Sequence, residues 1–244
     1  MIRLILLAAV ALSTASLAYA AAPIAPAKVV SVDLLVAGLE QKMETLGELL
    51  ADPEKYDDNE EFVVRAGGVI AVLSQALIEH DESSKSKIAA PALRDIGLGL
   101  QDYVGHEEAS DLYQQAQSAM KGEAEGEHEK DHPWDELIGM YEMMEEMNDR
   151  NGGLSRSLRR SRGKVEEQLN ASTNAVLSIA MLADHSYLED EDQAEQWDEW
   201  SKQCIEAMKG LTKAIEEKDQ TKIAEFYKAA NRACDQCHEV HRAE

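Results

Sequence analysis

Basic residues are scarce. Lys plus Arg total 24 against 47 for Asp plus Glu, a formal net charge of −23 over 244 residues. That shortage excludes a phosphate-tracking surface, so no nucleic-acid partner is expected, and it disfavours an anionic membrane face. It favours steered encounter with basic partners instead. A second cysteine pair is also missing. The cysteines are Cys204, Cys234 and Cys237, too few for a four-thiolate zinc site. No window alternates apolar and polar residues with period two for long, which excludes a β-sheet of consequence. No spacing pairs a nucleophile with a base, so no enzyme is expected.

What is present begins with an export signal. Arg3 precedes the apolar run at 4–12, and Ala18-Tyr19-Ala20 stands ahead of Ala21. A positive start, an apolar core and an A-x-A site read as a signal peptide over residues 1–20. The run is short for a membrane span, so no stable insertion is expected after cleavage. The expected location is the periplasm or otherwise outside the cytoplasm.

The remaining chain reads as helices. Ser31 or Asp33 caps a first helix with Leu35, Leu39, Met43, Leu46 and Leu50 at a 3.6 period, ended by Asp52-Pro53. A second runs from about Glu60 to His80, with Gly67-Gly68 as a weak spot or a close-packing site. A third starts at Pro91 and carries Tyr103, and a fourth carries Ala109 to Met120. Residues 121–133 have almost nothing to bury and read as an acidic linker with solvated histidines. Trp134, Leu137, Ile138, Tyr141, Met144 and Met147 then form a stripe ended by Gly152-Gly153. Residues 155–164 are a basic island. Helices follow from about Val165 to His185, Glu191 to Lys218, and Thr221 onward.

The halves resemble one another in order. Ala71 to Leu77 matches Ala175 to Met181 at an offset of 104, Gly38 and Met43 match Gly139 and Met144 at 101, and Leu112, Tyr113 and Ala116 match Phe226, Tyr227 and Ala230 at 114. The expected fold is all-α: two tandem four-helix bundles, 21–120 and 134–244, joined by the linker. The apolar first helices of both halves predict that the bundles pack on each other as an internal pseudo-dimer.

The most informative stretch is Cys234-Asp235-Gln236-Cys237-His238. C-x-x-C-H is the attachment signature of a c-type haem: two thiols for two thioethers and an imidazole for the iron. A dithiol redox pair or half a zinc site is the other reading of the two cysteines. The first lacks its usual strand–helix context, and the second lacks further ligands. Cys204 reads as a buried small hydrophobe or an intermolecular disulfide partner.

With C-x-x-C-H on the last helix of a bundle and Arg242 four residues on, residues 133–244 resemble the class II cytochromes c, the cytochrome c′ and c-556 family. The first half joins the resemblance only through the repeat and lacks the thiols. The resemblance implies a cytochrome c′-like second bundle carrying one covalent haem c on Cys234 and Cys237. It implies His238 as proximal ligand, and Arg242 near the haem edge. The distal position falls on the first helix of that half, at Met144 or Met140, or is an open face. A Met ligand implies one-electron transfer to redox protein partners with basic surfaces. An open face implies binding of nitric oxide or carbon monoxide.

Overall fold

A computed structural model of the chain describes residues 21–188 and 190–241. The signal-peptide reading and Arg242 lie outside the described residues. Eight α-helices occur among the described residues: α1 (Val32–Leu49), α2 (Tyr56–Ile78), α3 (Ala90–Gly99), α4 (His106–Met120), α5 (Met140–Ser157), α6 (Val165–Ala183), α7 (Ala194–Glu217) and α8 (Gln220–His241). They pack as two roughly four-helix clusters, α1–α4 and α5–α8, and no strand occurs among the described residues.

Helix starts follow local chemistry. The Ser31 hydroxyl accepts from the Leu34 N–H at the head of α1. The buried Glu167 carboxylate takes the N–H groups of Gly163 and Lys164 at the head of α6, at 3.1 and 3.3 Å. Asp219 receives Thr221 and Lys222 N–H, both at 3.1 Å, at the head of α8. Lys218, left-handed at φ 56°, ends α7 and turns the chain into α8.

The second helix of each cluster lies at the centre. Residues 66–77 of α2 and 171–182 of α6 are buried on every side. This explains why they read as apolar all round rather than along one stripe. The segment Pro53–Ile78 is long and apolar enough to cross a membrane, but 78% of its most apolar window is buried inside the fold, as befits a core helix. The clusters meet through these helices: α1 lies on α6, and α2 on α5 and α6. One continuous apolar core runs through both.

Gly67-Gly68 turns out to be a close-packing site. A Cβ on Gly67 would meet the Gly97 carbonyl and Leu100 Cβ, each at 2.7 Å. One on Gly97 would meet the Gly67 carbonyl at 2.6 Å and Ala71 N at 2.8 Å. The backbones of α2 and α3 therefore touch. Gly97→Ala is expected to destabilise by about 1–3 kcal/mol, because backbone cannot move aside as a side chain can. Chemical denaturation of that variant against wild type is the check.

Three local expectations need correction. The stripe expected from Trp134 is broken, since residues Trp134–Glu136 form a 3-10 turn and α5 starts only at Met140. The core-facing set of α5 is Met140, Met143, Glu146, Met147, Arg150 and Leu154. Two charged residues occupy apolar-looking positions, which hid the true register. Gly152-Gly153 does not end α5, because a glycine there lets α5 approach α6: a Cβ on Gly153 would meet the Asn170 amide at 2.9 Å. Tyr103 leaves α3 and sits in the following loop at φ 52°.

The linker is tied down. The Arg94 side chain, 2% exposed, donates to the Glu129 and Lys130 carbonyls at 2.9 and 3.0 Å. His128 meets Asp95 at 2.7 Å, and that contact raises the imidazole above its ordinary pKa.

Candidate functional site: the C-terminal thiol cluster

All three cysteines come together at the outer helix pair of the second cluster. Cys204 is on α7 and 2% exposed; Cys234 and Cys237 are one turn apart on α8 and half-buried. α8 reaches α7 through small residues, with Ala230 and Ala233 fully covered. Their size lets the helices approach and brings the thiols into range. Cys204 and Cys234 lie close enough for each thiol to shift the other's titration. The Ser178 hydroxyl of α6 donates to Cys204 Sγ at 3.3 Å.

The electrostatics keep the α8 thiols protonated. The adjoining Cys204 thiol and then burial push the Cys234 thiol far up. Burial first, and the neighbouring Cys234 second, push Cys237 up to about 11. Cys204 moves the other way, because the adjoining Cys234 thiol first, and the Ser178 hydroxyl with it, favour its charged form over burial.

Around the thiols stand aromatic rings. His241 fits edge-on against Trp197 and Trp200, with ring centroids 5.3 and 5.8 Å apart. Its Nε2 is buried without a hydrogen-bond partner. Trp197 packs in the core and donates to the Met181 carbonyl at 2.8 Å. His185 is bound to Asp198 at 2.9 Å on the surface.

Of the sequence-predicted site residues, Cys234, Cys237 and His238 lie on α8, and Met140 and Met144 on α5. His238 is exposed on α8. Met140 is 7% exposed in the core, and Met144 is half-buried against it. Two open clefts of about 340 and 510 Å³ lie in the first cluster, beside Val32 and Met120 and around His106, and neither is lined by Cys234, Cys237 or His238. No group of three or more His, Cys, Asp or Glu gathers as metal ligands among the described residues. The contact of Cys204 with Cys234 was invisible to spacing, since 30 residues separate them along the chain.

No family model, curated protein or solved structure matches the chain. The family expectation is corrected accordingly. The C-x-x-C-H sequence stands on α8, but the class II cytochrome assignment does not extend beyond it. The haem c, His238 as axial ligand and Met144 or Met140 as distal ligand are set aside, because these side chains form no metal-holding cluster. Haem-based electron transfer and its gas-binding alternative go with them. What stands is an all-α, two-lobed helical fold with a thiol cluster at one end.

Proposed function

We propose that the protein is an exported, non-enzymatic redox protein whose working groups are the thiols of Cys204, Cys234 and Cys237. The observation that carries this is the placement of Cys204 on α7 and Cys234 on the adjoining face of α8, inside the second cluster and close enough to affect each other's titration. Oxidation joins Cys204 Sγ to Cys234 Sγ and releases two protons and two electrons. The electrons reduce a disulfide of a partner protein to two thiols. With Cys237 held up to about 11, that thiol stays protonated at neutral pH and remains outside the couple. The charge of −23 directs the protein toward basic partners. The contacts of α1 and α2 with α5 and α6 support reading the two clusters as an internal pair from one duplicated bundle.

The test is intact-mass spectrometry of the mature, exported protein, alkylated before and after reduction. After mild oxidation one alkylatable thiol is expected, rising to three on reduction. The oxidised form should be about 3–4 kcal/mol more stable, from closing the loop between α7 and α8. Three free thiols after oxidation would sink the proposal. So would a mass above that of the polypeptide, carried on Cys234 and Cys237 and resistant to reduction, in favour of a thioether-bound group.

A further inference from the structure

Three large aromatic side chains stand in water where the clusters adjoin. Tyr103 is 55% exposed, Tyr141 61% and Phe62 47%. The fold fixes the first two beside each other. The Gln101 amide of the α3–α4 loop donates to the Leu137 carbonyl at 3.0 Å, just ahead of α5. The Tyr56 hydroxyl of α2 holds the same loop through the Val104 carbonyl. Ile138 is buried and packs on α2 at Gly68, where a Cβ would meet its Cγ1 at 2.5 Å. The α3–α4 loop and the head of α5 are therefore anchored to one another and to α2.

Tyr103 adopts its outward position at φ 52°, a left-handed conformation that non-glycine residues rarely take. Carboxylates ring the patch. Desolvation first, and then the nearby Glu142, Glu61 and Glu60 carboxylates and Tyr141, raise the pKa of the Tyr103 hydroxyl. The patch already holds one cation of its own. The Arg65 guanidinium lies 5.0 Å above the Phe62 ring and reaches on to Asp149 at 2.9 Å. Aromatic faces edged by carboxylates match the chemistry of a lysine or arginine: the ring face attracts the cation and the carboxylate fixes its N–H groups.

We infer that Tyr103 and Tyr141, with Phe62 and the carboxylates of Glu60, Glu61 and Glu142, form a docking surface for a Lys/Arg-rich segment of a partner protein. Charge complementarity selects this occupant, since the patch is acidic and belongs to a strongly acidic chain. The inference deepens the reading of basic partners proposed above and is independent of the thiol chemistry, so either stands or fails alone.

The experiment uses the mature protein and a decalysine peptide, with binding measured by calorimetry at near-physiological salt. Tyr103→Ser/Tyr141→Ser leaves the charge unchanged and is expected to weaken binding about ten-fold. Glu107→Gln/Glu108→Gln/Asp111→Gln removes three exposed charges on α4 outside the patch and should weaken it less than three-fold. Circular dichroism confirms that each variant is folded, and a single Tyr141→Ser variant serves if the double variant is not. Equal binding by the tyrosine variant and wild type would overturn the inference. So would an equal or greater loss in the α4 variant, which would mean diffuse charge attraction without a site.

Discussion

Glu146→Ala is expected to cost about 3–5 kcal/mol, among the largest single-residue effects in the molecule. Glu146 is 3% exposed on α5 and is the one carboxylate facing three cations. Lys42 of α1 meets it at 2.7 Å, Arg150 at 2.7 Å, and Arg65 of α2 at 3.7 Å. Arg150 is further held by Gln41 at 3.2 Å and Asn170 at 3.3 Å. This network joins α1 and α2 to α5 across the cluster interface. Removing the carboxylate strands Lys42 and Arg150 in the core without an anion. Lys42 is the weaker of the two: burial, with Arg150 and Arg65 nearby, outweighs Glu146 and lowers its pKa from 10.5.

The pH dependence follows. Burial opposes ionisation of Glu146, but its cations prevail and its folded pKa lies below 4.5. The stability from its ionisation is full above 4.5 and is lost as the pH falls through the lower folded value. Urea unfolding from pH 7 to 3 should show this slope in wild type and a flatter one in Glu146→Gln. Replacing the pair together, Lys42→Met/Glu146→Leu, should recover only part of the loss, since Lys42 is then no longer stranded while Arg150 still lacks its anion. A Glu146→Ala variant within 1 kcal/mol of wild type would show that the network contributes little.

Trp134→Ala is expected to lose a comparable amount, about 3–5 kcal/mol. Trp134 is 1% exposed, and its Nε1 donates to Glu79 Oε1 at 2.8 Å at the end of α2. Glu79 also receives the Gln75 amide at 2.8 Å and the Ala22 N–H at 2.9 Å. The 3-10 turn holding Trp134 packs on α6, so this side chain clamps the chain entering the second cluster onto the first. Trp134→Phe loses the bond to Glu79 together with the five-membered ring of the indole and is expected to cost about 1.5–3 kcal/mol, less than Trp134→Ala. Thermal unfolding of both variants is the check. Equal losses would mean that the ring retained by phenylalanine contributes no packing.

The repeat was legible wherever burial is shared. At the offset of 104, the fully covered run Ala71–Leu77 of α2 maps onto Ala175–Met181 of α6. At 114, the buried Ala109, Ala116 and Ala119 of α4 map onto the buried Ile223, Ala230 and Ala233 of α8. The first helices do not obey the offset of 101. Gly38 lies inside α1, whereas Gly139 is the cap of α5. Aligning the helix starts makes Lys42 and Arg150 the equivalent pair, both core-facing and both bound to Glu146. Buried charges carry no hydrophobic signal, so the pattern could not reveal this register.

The chain order alone determined the all-helical class, the places of most helix ends and the presence of two clusters. Those depend on period, caps and breakers, which act over a few residues. The C-x-x-C-H stretch was equally legible, but its setting was not. Only the tertiary structure decided that Cys234 turns to Cys204 on α7, that His238 faces water, that Met140 fills core, and that Lys42, Arg65 and Arg150 converge on Glu146. Each of these depends on which helix faces are brought together across tens of residues, and local sequence spacing does not encode that pairing.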